Sequence, residues 1–425
     1  MNDAPALTIL LVGTADTKGA ELEFLRDEIR RAGHAALVMD VGVLGEPPFA
    51  PDIHHDQVAA AAGLSRREII ALGDENHAML KMAAGAARLA ASLWREGRIH
   101  GALAIGGTMA TDLALDVMAA LPLGAPKVIV STIAFSHLIP PDRISADLFM
   151  ILWAGGLWGL NTASCSVLRQ AAGAVAGAAQ ANHGKTRWDH PAVAVSSLGG
   201  SVCRYLHFLK PWLEERGFEV IVFHATGPGG RALEALVAEG RCAAVLDLCL
   251  VEVSNQELGS VVSAGPERLE TAGRLGVPQI VAPAGTDLVD QPTWQALRPE
   301  HEGRPYHAHN RLIASVTVTP AEKARIGRTI ARKLNAATGP TAFVMPMGGI
   351  DEWDRPGQPF HDPAGLARLA DAVRSALRPE IAFIALEAHV NDLAFATAVI
   401  DLFDRWLAEG LITRPAGAAG SSPPG

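Results

Sequence analysis

The sequence predicts an α/β protein of two Rossmann-like, doubly wound parallel-sheet domains facing a cleft, and three observations carry that prediction. Short β-rich apolar runs alternate with glycine-bearing turns and helix-period stretches, the rhythm of strands joined by crossover helices. A polar, weakly periodic stretch at Gln180–His190, followed by Pro191, interrupts this rhythm, which then restarts. The chain has 425 residues, whereas a single core ordinarily stops growing at roughly 250–300 residues.

The first half opens on a strand at Thr8–Val12, then the loop Gly13–Gly19 and a helix over Glu21–Ala32 with Leu22, Leu25 and Ile29 on one face. Ala35–Asp40 reads as the second strand, and a long polar loop through Pro47, Pro48, His54 and His55 follows it. A helix over about Met79–Glu96 leads to the strand Gly101–Ile105, the turn Gly106-Gly107-Thr108, a helix to Ala120 and the strand Lys127–Ser131. Helices from roughly Leu160 to Ala179 close this half. In the second half, strands are expected at Ala192–Ser196, Glu219–His224, Ala243–Leu248, Gln279–Ala282, Thr341–Met345 and Ile381–Leu386. Helices are expected over Val202–Arg216, Arg231–Glu239, Pro320–Asn335 and Pro363–Leu377. The domains are therefore placed at residues 1–185 and 191–413, with 414–425, rich in Ala, Gly, Ser and Pro, as a disordered tail.

Hydrophobic residues at 49% and charged residues at 19% suit large buried cores. A net charge of −9, with no basic stripe, speaks against nucleic acid as a partner. The four cysteines, Cys165, Cys203, Cys242 and Cys249, show no C-x-x-C spacing and read as buried, reduced thiols. The N-terminus lacks the features of a signal peptide, and the apolar segment Leu148–Leu160 falls short of the ~20 residues a membrane span needs. These readings give a cytoplasmic protein with no membrane partner.

In a doubly wound sheet the ligand site lies beyond the C-terminal ends of the strands, so the residues just after each strand are the candidates. Gly13, Thr14, Asp16, Thr17 and Lys18 offer backbone N–H groups beside a helix N-terminus, two hydroxyls and a lysine, the parts of a phosphate cradle. The order is not that of a Walker loop, and a capped strand-to-helix turn explains the same residues as well. Gly106, Gly107 and Thr108 follow the third strand, and Ser131 and Thr132 the fourth, so three loops converge on one sheet edge. In the second half, His224 precedes the turn Gly227–Gly230, Glu252 follows an apolar run, and Asp287 follows the strand at Gln279–Ala282. His389 and Asp392 follow the last strand with Asn391 between them. These five are candidates for acid/base or metal-ligand roles, and for the last group an N-cap by Asn391 or Asp392 with a hydrogen-bonded His389 stands beside that reading. Asp74 and Glu75 before a helix read first as partners of its dipole.

Five blocks, in order, resemble the family typified by the ATP-binding N-terminal region of the tomato mosaic virus resistance protein. They are Gly13–Gly19, Leu121–Thr132, Phe223–Gly230, Ser263–Leu269 and His389–Asp392, and the resemblance runs to about Phe395. It implies two Rossmann-like domains, binding of ATP or a related nucleotide in the N-terminal half, and self-association as a homo-oligomer; magnesium is expected if a triphosphate binds, because a few carboxylates usually hold it together with the phosphates. The chain departs from the family in the shorter glycine run at Ile105–Thr111 and in the apolar Ser136–Leu157.

Three functions stay open on these residues. The first is an enzyme holding a nucleotide, or another phosphorylated or carboxylate small molecule, in the cleft. The second is a metal-assisted hydrolase or lyase without nucleotide, and the third a non-catalytic regulatory protein gated by its ligand.

Overall fold

The computed structural model describes residues 5–185 and 190–415. Residues 186–189, within the expected linker, and 416–425, most of the expected tail, lie outside the described residues. The chain divides into two compact units, Met1–Arg187 and Trp188–Gly425. Both are doubly wound α/β domains, as the alternation of strand and helix patterns requires.

The first unit runs β1 (Thr8–Gly13), α1 (Ala15–Arg31), β2 (Ala35–Asp40), α2 (His55–Ala61), α3 (Arg66–Ile70), α4 (Glu75–Arg95), β3 (Gly101–Gly106), α5 (Thr108–Ala119), β4 (Lys127–Ser131), β5 (Phe149–Leu152) and α6 (Thr162–Asn182). Its five strands pair in the order β2-β1-β3-β4-β5, all parallel. Leu22, Leu25 and Ile29 of α1 pack with Leu168, Ala172 and Val175 of α6 on one face of the sheet. Met82, Ala86 and Ala90 of α4 pack with Leu113 and Val117 of α5 on the other. The chain changes faces between β2 and β3, so the strand order reverses at the β1/β3 boundary, where loops diverge and leave a crevice.

The second unit runs β6 (Ala192–Ser197), α7 (Leu206–Glu215), β7 (Glu219–His224), α8 (Pro228–Ala238), β8 (Cys242–Cys249), α9 (Val251–Glu257), α10 (Thr271–Arg274), β9 (Gln279–Ala284), β10 (Leu288–Pro292), β11 (Tyr306–Ala308), β12 (Ile313–Thr317), α11 (Pro320–Asn335), β13 (Thr341–Pro346), α12 (Pro363–Ala376), β14 (Ala382–Leu386) and α13 (Leu393–Ala408). Six of these strands form a parallel sheet, β14-β13-β9-β8-β6-β7, and β10, β12 and β11 a small antiparallel one.

Several elements differ from the sequence reading. Helix α1 begins at Ala15, six residues before Glu21, and bends at Lys18 (φ −124°, ψ 22°), so the polar run Asp16-Thr17-Lys18 is the first turn of a helix. The polar loop after β2 contains α2, started by a capping box in which His54 Nδ1 accepts from the Asp56 amide. Helix α6 continues to Asn182, into the stretch read as linker. Short α9, the antiparallel sheet and α13 carry patterns too brief or too apolar to assign by period alone. All four cysteines are free, but only Cys249 is fully buried; Cys165, Cys203 and Cys242 are half-buried.

Candidate functional site

A cavity of about 660 Å³ opens in the first unit at the β1/β3 boundary, within the range of roughly 300–1,000 Å³ typical of small-ligand sites. Thr14, Asp16, Thr17 and Lys18 line it from the first turn of α1, and Gly107 and Thr108 from the start of α5. The apolar side comes from Val41, Val43 and Leu44 after β2, with Ile69 and Met79 opposite. A second recess of about 650 Å³ shares Asp74, Glu75, Thr108 and Met109 with the first and continues past Leu115 to Ile139.

Local chemistry explains how the polar edge is held. Asp40 at the end of β2 accepts from the amides of Ala15 (2.9 Å) and Gly42 (2.9 Å), fixing the start of α1 from the neighbouring strand. The hydroxyls of Thr14 and Thr17 lie 2.7 Å apart. Neither Thr14 nor Gly107, the residues in cap position, supplies a side-chain cap to its helix. Ala15 N is held by Asp40, and Thr17 N and Lys18 N by the Thr14 carbonyl, so α1 offers a ligand its Asp16 amide and α5 the amides of its first turn, each with the positive end of its dipole. Lys18 Nζ sits 5.6 Å from the ring centre of the exposed Trp158. Asp16 Oδ2 accepts from Gly45 N (3.1 Å), while its Oδ1 is buried with no partner.

The other expected cradle residues shape the loops without lining the cavity. Gly13 is buried against Leu22, and a Cβ on Gly106 would stand 2.1 Å from that of Ala110, so only glycine lets α5 turn back so tightly. Ser131 is fully buried; its hydroxyl meets that of Thr111 at 2.7 Å and accepts from Ile133 N (3.0 Å). The Thr132 amide donates to the Gly106 carbonyl (3.2 Å). The segment Val41–Leu44, which lines the cavity, was not singled out from sequence. Applying the strand-end rule to β2 as to β1 and β3 would have found it.

In the second unit the five expected residues separate into three places. His224 ends β7, the edge strand opposite β14, and its exposed ring accepts from Gly199 N (3.2 Å). Glu252 is fully buried and occupied: Oε1 accepts from Gly227 N (2.5 Å) and Gly230 N (3.0 Å), and Oε2 pairs with Arg268 Nε (2.8 Å). Arg268, 1% exposed, also forks onto Asp247, whose Oδ1 accepts at 2.7 Å from Arg268 Nη2 and at 2.7 Å from the Ser196 hydroxyl. The β6/β8 boundary, where this sheet reverses its order, is thus filled by a buried ionic network.

Asp287, His389 and Asp392 do come together, beyond β9, β13 and β14. His389 Nε2 donates to the Asp351 carbonyl (2.9 Å) and lies 3.2 Å from Asp354 Oδ1, while its Nδ1 accepts from Asn391 N (3.0 Å). Asp392 accepts from His389 N (3.0 Å) and Arg355 Nη2 (3.1 Å). Burial acts to raise its carboxyl, but these two donors outweigh burial and hold it below the usual range. Both oxygens of Asp287 are buried without a partner, and Asp351 Oδ2 is likewise unpartnered. Burial, then the charges of Asp351 and Asp354, raises Asp287 well above the ordinary carboxylate range. Burial first, with the Asp354 charge assisting it, pushes Asp351 up to about 7. Asp351 and Asp354 lie in the segment between β13 and α12.

A doubly wound sheet with a ligand-sized cavity at its point of order reversal, joined to a second doubly wound domain, defines a two-domain α/β protein of Rossmann-like type. The chain belongs to uncharacterised protein family UPF0261: residues 7–184 match its N-terminal domain and residues 190–407 its C-terminal domain. It is 50% identical over 406 residues to UPF0261 protein BMEII0128 of Brucella melitensis, covering 96% of this chain and 97% of that one. It is 34% identical to a UPF0261 protein of Clostridium tetani, over 92% of this chain and 96% of the other. The ToMV resistance protein Tm-1(GCR237) of Solanum lycopersicum is 27% identical over 93% of this chain but only 55% of its own length. Among solved structures, MurG of Acinetobacter baumannii aligns over 94% of this chain with 11% identity and a TM-score of 0.20, a value at which even a shared fold is not established. Among the described residues, no helix is long and apolar enough to cross a membrane.

Proposed function

We propose that the N-terminal unit binds a nucleotide of the ATP type, or a closely related phosphorylated small molecule, at the point where its sheet reverses order. The observation that carries this reading is the cavity itself: two helix starts without side-chain caps, a lysine and three hydroxyls on one wall, and an apolar wall facing them. Phosphate oxygens would accept from the Asp16 amide of α1, the first-turn amides of α5 and Lys18, and the apolar wall from Val41 to Leu44 suits a base. Asp16, Asp74 and Glu75 on the same lining would repel a bare triphosphate. The unpartnered Oδ1 of Asp16 fits a magnesium ion that enters with the phosphates and neutralises them.

Isothermal titration of the full chain with ATP and magnesium, against magnesium alone, tests this reading. Binding is expected, and Lys18→Ala should weaken it by roughly 10–100-fold, the worth of one hydrogen bond to a charged group. No heat with ATP, ADP or inorganic phosphate would sink it.

A second reading, acid–base catalysis in the C-terminal unit, is favoured by the pairing of Asp287 and Asp351. A carboxyl poised near 7 beside a histidine is suited to proton transfer at neutral pH. Mass spectrometry of small molecules retained through purification would supply the substrate against which that role is assayed.

A further inference from the structure

We propose a second, independent site on the first unit, built by Glu46, His54 and His55 for a first-row divalent metal ion of the zinc type. One ligand atom from each of the three lies within 4.8 Å of the others. His54 Nε2 and His55 Nε2 stand 3.9 and 4.0 Å from the same oxygen, Glu46 Oε2. Two imidazoles and one carboxylate form a donor set that favours zinc and its neighbours over magnesium or calcium, and it leaves a coordination position open.

The second observation is the state of His55. Its ring is fully buried, and Nδ1 donates to Asp40 Oδ2 at 2.8 Å. Asp40 is itself fixed by the amides of Ala15 and Gly42. In the neutral ring that bond leaves the lone pair on Nε2, which is buried and has no hydrogen-bond partner. It points toward two carboxylates, Glu46 at 4.0 Å and Asp56 at 3.9 Å. A lone pair facing two negative groups is unfavourable unless a cation stands between them, and a carboxylate-bound imidazole is the usual way a protein presents Nε2 to a metal.

His54, one residue earlier, also has a carboxylate beside Nδ1. Its Nδ1 lies 3.3 Å from Asp56 Oδ2 as well as 3.3 Å from the Asp56 amide. With a metal on Nε2, the ring proton would move to Nδ1, which would then donate to the Asp56 carboxylate in place of accepting from the amide. Arg66 holds the other oxygen of Glu46 and the carbonyls of Val43 and Leu44, so it positions the loop while leaving Oε2 free. Bonds of about 2.0 Å in a tetrahedral site put ligand atoms roughly 3.3 Å apart. Glu46, whose side chain is exposed, would therefore close by about 0.6–0.7 Å, and His54, whose side chain is partly exposed, by up to about 1.5 Å toward His55.

The test uses the full chain, stripped with a chelator and titrated with zinc against a chromophoric competitor, with cobalt as a spectroscopic stand-in. The wild type is expected to take up one equivalent and to give the visible bands of low-coordinate cobalt. Glu46→Gln and His54→Ala, on residues outside the core, should fold normally by circular dichroism. Each should weaken zinc binding by more than the roughly 10–100-fold that changes to outer-shell partners cost. His207→Ala, at an exposed histidine elsewhere, should leave it unchanged. Absence of zinc uptake by the wild type would overturn the site and leave a proton as the cation beside His55. Uptake that both Glu46→Gln and His54→Ala leave intact would overturn it equally.

Discussion

Replacing Arg268 by methionine is expected to destabilise the second unit by about 3–5 kcal/mol, the usual consequence of removing one partner from a buried ion network. Asp247 and Glu252 are both buried and lean on this guanidinium for their charge balance. Without it, two carboxylates stay in the core with only neutral donors. Glu252 also ties down the amides of Gly227 and Gly230, so the loss should spread to the start of α8. Hydrogen exchange at β8 and α8, together with urea unfolding, would measure it. Neutralising all three, with Arg268→Met, Asp247→Asn and Glu252→Gln, should recover part of the loss, because no uncompensated charge remains. Gly230→Ala should mimic the damage, since its Cβ would lie 1.9 Å from Glu252 Oε2 and 2.6 Å from Arg268 Nε. A loss below about 1 kcal/mol for Arg268→Met, the worth of an exposed pair, would show that the network does not hold this region.

Asp351→Asn is expected to stabilise the protein, by an amount that grows with pH. The folded state raises this carboxyl from 3.8 to about 7, chiefly by burying it. An acid raised by folding binds its proton more tightly in the native state, so its contribution is intact below about pH 4 and is lost as pH climbs toward 7. At about 1.4 kcal/mol for each of roughly three pH units, the loss reaches on the order of 4 kcal/mol at pH 8. The amide removes that loss, and its oxygen can still accept from Trp353 N, now bonded at 2.8 Å. Asp287→Asn has the same sign, because burial and the charges of Asp351 and Asp354 raise Asp287 too. Urea midpoints of wild type and variant at pH 4 and pH 8 decide the matter, and equal differences at the two would refute it. If the pair serves catalysis, Asp351→Asn should lose turnover while gaining stability, the trade expected where an acid is kept in an unfavourable setting.

Much of the site was legible one loop at a time. The strand-end rule picked out Thr14, Asp16, Thr17 and Lys18 after β1 and Gly107 and Thr108 after β3, and these line one cavity. It also picked out Asp287, His389 and Asp392, which the fold brings to one edge of the second sheet. It could not separate Glu252, whose sequence surroundings resemble those of a cleft residue, because its buried partner Arg268 lies sixteen positions away. The polar run before α2 looked like a plain loop, since a helix of seven residues leaves too short a pattern to register.

What the sequence alone determined is the alternation: apolar runs of strand length, glycine turns and helix-period stretches dictate two parallel sheets, because only crossover helices can cover both faces of such runs. The strand order, and with it the two points of reversal, was decided by tertiary packing. So was their opposite use, one left open between α1 and α5 and the other closed by Arg268, Asp247 and Glu252. Local patterns fix which residues follow a strand. Only the long-range pairing of charges and shapes decides whether those residues face a ligand or one another.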